Sequence, residues 1–435
     1  MGNSSMHRKM ASLFVPLGVI SIGIALIAQQ TATEAPRGFD RPTLSDSPDS
    51  QSVSNGIAEL PGDTFAIDQA RFERKHAAGG PAASLGLGPV FNATACADCH
   101  QNVVTGVASQ ITELRAGHID SNGNFANPTV RISGGNNTVT GRSLVNDRAI
   151  CVAASEHLPD SENIRSLRAV LSTLGDGFVE AVDDRTLLAI AANQRAQNQG
   201  KIHGEAIRIP ILEAPGQLGV GKFGWKDQQP TVLSFVPDAY LMEMGVTRRL
   251  RPNEVTQVCE VNNGVEDVPD NLGLANIDHF AQFVRGTKAS PRENALAAVP
   301  DAQAGHDLFT SIGCVTCQVE TLTAAPAGTL INGGAYRVPD AIGNKIFHPF
   351  GDFLLHDVGT GDGFVHAGPQ DTANKLRTAP LWGLHIRSRL MHDLGSLTLN
   401  YAILRHKGEA QGLISVHVAL PPAQQQQLIT FLKFL

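Results

Sequence analysis

Cys96-Ala-Asp-Cys99-His100 decides how this chain is to be read. Two thiols three residues apart on one helical turn can meet both vinyl groups of a porphyrin, and the adjacent imidazole then falls under the iron. The pair alone is also half of a zinc site or a thioredoxin-like redox pair, but neither alternative accounts for His100. A second pair, Cys314-Val-Thr-Cys317-Gln318, keeps the spacing and lacks the histidine. An amide replaces imidazole poorly, because its nitrogen is not basic and its oxygen binds iron weakly. Read alone, this pair is a disulfide, a metal half-site or a degraded haem site whose iron another histidine would have to hold. Cys151 and Cys259 remain, as a disulfide closing a long loop or as two buried thiols.

Composition narrows the class. The 435 residues carry 34 basic against 41 acidic side chains, a net charge of −7, which argues against a nucleic-acid protein. Aromatics are only 5% of residues, while 43 glycines and 24 prolines predict many turns, so a porphyrin would add bulk that the side chains do not. His7, Arg8 and Lys9 precede an apolar run from Met10 to Ala28, and Gln29, Gln30 and Thr31 end it. That order is a secretory signal, and its length also suits an uncleaved anchor. Ala28 and Ala35 both fit a cleavage point. The chain is expected to be periplasmic or otherwise exported, touching a membrane only through this segment. Residues 36–60, rich in Pro, Ser, Asp and Thr, read as a linker.

Residues 101–145, with Asp120-Ser-Asn-Gly-Asn and Gly134-Gly-Asn-Asn, favour turns and short strands. Leu167, Val170, Leu171 and Leu174, then Leu187 and Leu188, have helical spacing between Ile164 and Ala192. Helices are also predicted over 231–245, ending near Gly245, over 278–285, over 302–311 leading into Cys314, and over 422–435.

Taken together with Phe91-Asn-Ala-Thr-Ala-Cys-Ala-Asp-Cys-His, the segments Lys222-Phe-Gly-Trp-Lys, Leu241-Met-Glu-Met-Gly, Phe350-Gly-Asp-Phe-Leu-Leu-His-Asp-Val-Gly, Lys375-Leu-Arg-Thr-Ala-Pro-Leu-Trp-Gly-Leu and Met391-His-Asp resemble the bacterial di-haem cytochrome c peroxidase and MauG-type superfamily, especially its di-haem oxidoreductase branch. The resemblance runs from about Gly88 to the C-terminus. It implies a mostly α fold of two cytochrome c-like haem domains with long loops and a turn-rich insertion in the N-terminal half. The expected boundaries are 1–35 for the signal or anchor, 36–60 for the linker, 61–290 for the N-terminal haem domain and 300–435 for the C-terminal one.

The resemblance also implies roles. Haem c would attach at Cys96, Cys99 and His100, with a second at Cys314 and Cys317, and calcium is left open as an added ion. Peroxide or a related small substrate would react at the N-terminal haem, with electrons from a small redox protein relayed by the C-terminal haem. His100 would be the proximal ligand of the first iron, and His406 resembles the distal ligand of the second. Trp225 resembles the tryptophan between the haems, with ordinary core packing as its plain alternative. Glu243 resembles the acid-base glutamate, and its neighbours Leu241, Met242 and Met244 would raise its pKa. Arg377 suits a haem propionate, since a guanidinium matches a carboxylate fork. His118 reads as a surface histidine or a reversible sixth ligand. In His356-Asp357 and His392-Asp393 the carboxylate either fixes an imidazole tautomer or serves a local turn. Gln318 departs from the family histidine, Leu394 stands where the family places glycine, and residues 101–220 are longer than the simple pattern. The competing reading is a non-catalytic electron-transfer cytochrome, with one haem only.

Overall fold

The computed structural model describes residues 1–2, 31–38, 64–77, 86–102, 104–134, 137–259, 267–291 and 298–435. The apolar run Met10–Ala28 and most of the linker 36–60 lie outside the described residues. Residues Ala32–Leu435 form one compact unit.

The described α-helices, in chain order, are α1 (Phe65–Glu73), α2 (Asp176–Glu180), α3 (Asp184–Gln197), α4 (Val232–Met244), α5 (Asn276–Gly286), α6 (Pro300–Ile312), α7 (Leu399–Leu404), α8 (Gln411–Ala419) and α9 (Pro422–Leu432). None of them is long and apolar enough to cross a membrane.

The expectation of a mostly α fold is wrong. Of the described residues 31% are helical and 18% lie in strands of several small sheets. The reason lies mainly in residues 101–220. Asp120 Oδ1 accepts from the Asn122 and Asn124 amides at 2.8 and 2.9 Å, closing a turn that folds strand Thr112–Ile119 back onto Phe125–Ala126. Ile164–Ala169 then pairs antiparallel with Thr112–Ile119, so the helical spacing read there is overridden. Along this strand the pattern is alternation, with Leu167 51% exposed and Arg168 buried. The helix begins only at Asp176.

Two helix pairs frame the two cysteine pairs. In the first half α1 packs on α5 through Phe72, whose ring lies 4.6 Å from Phe283 and 6.0 Å from Phe280. In the second half α6 crosses α9, with Phe309 5.3 Å from Phe431. Gly305 lets these helices touch, since a Cβ there would lie 2.1 Å from the Gln427 carbonyl oxygen. The larger apolar core gathers Phe178, Phe280, Phe283, Phe347, Phe353 and Trp382, and a second core gathers Phe309, Phe350, Leu428, Phe431 and Leu435.

Thr33–Glu34 forms a short strand parallel to Lys345–Ile346, and the buried Ala35 donates to Ile346 O at 2.8 Å. Cys151 and Cys259 form a disulfide across 108 residues, which decides between the two readings of that pair.

Candidate functional site

The first cysteine pair is shaped by its own short-range hydrogen bonds. Asp98 folds its carboxylate back to accept from the Thr94 and Ala95 amides and the Thr94 hydroxyl, at 2.8, 3.1 and 2.7 Å. This closes a 3-10 turn over Cys96–Asp98, in which the Cys99 and His100 amides both donate to Cys96 O. The two thiols and His100 thus share one turn. Burial pushes both thiols up to about 12, which is the reverse of what a reactive redox thiol needs. Burial pushes the His100 imidazole down to about 4, against an opposing hydrogen bond with the Leu171 backbone. The ring is neutral near pH 7, the form that ligates iron. Among the described residues its buried Nδ1 has no partner.

The second pair repeats this geometry. Gly313, at φ 102°, ends α6 in the left-handed region and starts a 3-10 turn over Cys314–Thr316. The Gln318 amide donates to Cys314 O at 3.0 Å, the same distance as His100 to Cys96 O. Gln318 therefore occupies the backbone position of His100. Its Oε1 is buried without a partner among the described residues.

Cys314, Cys317 and Gln318 line a cavity of about 260 Å³, together with Trp225, Arg377 and His406. His406 follows α7 and has Nδ1 2.9 Å from Ala402 O. A carbonyl only accepts, so Nδ1 carries the proton and Nε2 keeps its lone pair. Such a backbone partner is what fixes the tautomer of a metal-ligating histidine. Arg377 donates from Nε to Gly224 O at 2.8 Å and stands 3.8 Å from the buried Asp227 carboxylate. Trp225 donates from Nε1 to Ala169 O at 2.7 Å and is 6.1 Å from the His392 ring. Residues Ala169–Leu171 also line the cavity, and the Leu171 backbone touches His100, so Trp225 borders the stretch that joins the two cysteine sites.

Glu243 is brought beside the first pair by the end of α4. The last carbonyls of a helix lack intrahelical partners. That of Glu243 accepts instead from the Asn92 and Ala93 amides at 2.8 and 3.0 Å, three residues before Cys96. Its carboxyl accepts from Asn92 Nδ2 at 3.2 Å. Burial, and then the charge of Glu113, push its pKa well above the ordinary glutamate range. The local apolar sequence signals the first cause and gives no sign of the second.

Glu113 and Arg115 escaped the sequence reading, because Thr-Glu-Leu-Arg resembles any exposed strand. Arg115 donates from Nε to Glu113 at 2.6 Å and from Nη1 to Ser143 Oγ at 3.1 Å. Beyond them Arg168 reaches His366 Nε2 at 3.1 Å and Asp362 at 2.6 Å. Against the opposing cost of burial, Arg115 holds the Glu113 carboxyl below the ordinary range.

Other candidates fall elsewhere. His118 joins neither site; it lies on strand Thr112–Ile119 with Nδ1 2.6 Å from Glu162. In both His-Asp pairs the aspartate serves a turn, accepting from the Gly359 amide in one and the Gly395 amide in the other. His356 turns away from Asp357 and is held between Asp352, at 2.9 Å, and Glu409, at 3.1 Å. With both ring nitrogens so engaged it has no lone pair to offer iron. Leu394 keeps the left-handed turn despite its side chain, at φ 54°.

A family model described as "Di-haem oxidoreductase, putative peroxidase" matches residues 152–435. The chain belongs to this di-haem oxidoreductase family and is a haem redox protein. Cys96, Cys99, His100 and Glu113 lie ahead of the matched residues. Among solved structures, the chain is similar to a MauG-like protein associated with microbial copper homeostasis, at 18% identity and a TM-score of 0.25, over 37% of this chain and 56% of that one. It is also similar to a hydrazine synthase of Kuenenia stuttgartiensis, at 12% identity and a TM-score of 0.35, over 92% and 99% of the two chains. The match thus spans little more than half of the MauG-like chain. No curated protein matches.

Both cysteine sites fit a covalently held porphyrin. Each sets two thiols on one turn, and each has a histidine able to ligate: His100 at the first, His406 at the second.

Proposed function

We propose that the protein is an exported c-type haem oxidoreductase that reduces peroxide, or a related small substrate, at the Cys96–His100 site with electrons from a small redox protein. The observation that carries this reading is the placement of Glu243, a buried carboxyl that accepts from Asn92 and is tied by its own carbonyl to the residues just ahead of Cys96, with burial raising its pKa. Bound haem would supply the electron transfer to the O–O bond. The chain supplies the rest. His100 would hold the iron of the first haem. Glu243 is the acid that gives a proton to the leaving peroxide oxygen, and Asn92 fixes its position. At the second site Cys314 and Cys317 would hold the porphyrin, His406 the iron and Arg377 a propionate. Trp225 would lie between the two. Export is supported by the order of residues 7–31 and by the Cys151–Cys259 disulfide, since disulfides persist in oxidising compartments.

Gln318 favours a second reading, in which one haem serves a non-catalytic electron-transfer cytochrome. Intact mass separates the two, because each covalent haem adds a fixed mass. Two haems are expected, one of which is lost in a Cys314→Ala/Cys317→Ala variant. Glu243→Gln should slow peroxide-driven oxidation of a reduced cytochrome by about 10²-fold. An unchanged rate sinks the peroxidase reading.

A further inference from the structure

We propose that Glu113 is a second catalytic carboxyl beside the first haem site, and that it shares a single proton with Glu243. The inference rests on the peroxidase-type reading above and deepens it. It begins from contact. A side-chain hydrogen bond joins Glu113 to Glu243. Two carboxyl groups can form such a bond only if one of them keeps its proton, since two charges in contact do not both persist in a low-dielectric site.

The surroundings decide which one keeps it. Arg115 lies two residues from Glu113 on the same strand face and donates to it at 2.6 Å. A charge-assisted bond of this kind favours the ionised acceptor. Glu243 receives only a neutral amide, Asn92 Nδ2 at 3.2 Å. The ground state is therefore ionised Glu113 and protonated Glu243. Placement is rigid on both sides. Strand Thr112–Ile119 is paired along one edge with Ile164–Ala169 and along the other with Leu144–Val145, while the Glu243 carbonyl is bound by Asn92 and Ala93.

A pair with one proton suits O–O cleavage. The proton on the near peroxide oxygen passes to the Glu113 carboxylate. The Glu243 proton passes to the far oxygen, which leaves as water with the bonding electron pair. The pair again holds one proton, now on Glu113. The remaining oxygen atom is reduced to a second water by two electrons from the reduced donor protein and two protons from solvent. A lone glutamate would have to swing between the two oxygens, whereas the pair does not. Glu113 and Arg115, like Cys96, Cys99 and His100, lie ahead of the residues matched by the family model.

Infrared difference spectroscopy of the haem-loaded protein, in H2O and D2O, tests the pair independently of turnover. The wild type minus Glu243→Gln spectrum should isolate one deuterium-sensitive protonated-carboxyl band. Glu113→Gln should shift or remove that band, and Arg115→Gln should add a second, because Glu113 is then no longer held ionised. A band untouched by Glu113→Gln overturns the pair. In parallel, Glu113→Gln should slow the peroxide reaction by about 10²-fold. A moved band with an unchanged rate overturns the catalytic role. A wild type that does not react with peroxide overturns the peroxidase reading instead, and the infrared result still decides whether the two carboxyls share a proton.

Discussion

His356 shows how much a single side chain here is governed by partners distant in sequence. Burial disfavours its charge, but the carboxylates of Asp352 and Glu409, with Cys317 beside it, outweigh burial and hold its pKa well above 6.5. The stability this gives is fully present below the unfolded-state value. It is lost as pH rises through the higher folded-state value. The unfolding midpoint of the wild type should therefore fall, relative to His356→Gln, as pH is raised from about 6.5 upward, as followed by thermal melts at fixed salt. A constant difference across that range contradicts the arrangement. At this scale the sequence was legible where chemistry is local. Cys96, Cys99 and His100 share a turn because they are neighbours in the chain. Glu113 was invisible, since its partner Glu243 lies 130 residues away in sequence.

Among the elements, the α6 and α9 crossing depends on one missing side chain. Gly305→Ala would place a Cβ 2.1 Å from Gln427 O and 2.7 Å from Phe431 Cβ, both in the middle of a helix that cannot yield locally. The helices would have to separate, at a cost of about 1–3 kcal/mol. Since Ala is otherwise the better helix former, a drop in the denaturation midpoint reports the crossing and not the propensity. Helices α4, α5, α6 and α9 were legible because caps and periodicity agree, as Gly245 and Gly313 show at φ 68° and 102°. Strand Ile164–Ala169 was not, because its leucines fit a helical stripe by chance. Only the pairing with Thr112–Ile119, some 50 residues earlier, decides its form.

Over the whole molecule, the disulfide links the strand-rich stretch around residues 112–169 to the chain beyond α4. With its cysteines 108 positions apart it restricts the unfolded chain strongly, by about 4–5 kcal/mol in the entropic limit. Cys151→Ser should lower stability toward that extent in denaturant titrations, and a reductant should then have no further effect on the variant. The mixed α and β content has the same origin. A family resemblance speaks for the helices around each cysteine pair, while the turns and short strands of residues 101–220 follow their own hydrogen bonds.

The short strand Thr33–Glu34 carries one more consequence. It is paired with Lys345–Ile346, and Ala35 behind it is 4% exposed, in the larger core. Of the two small-residue positions at which a leader could be trimmed, a cut after Ala35 would take a packed edge strand away with the leader, whereas a cut after Ala28 would leave it in place. If the proposed export route includes a cut, only a cut ahead of Thr33 would leave this strand pairing intact.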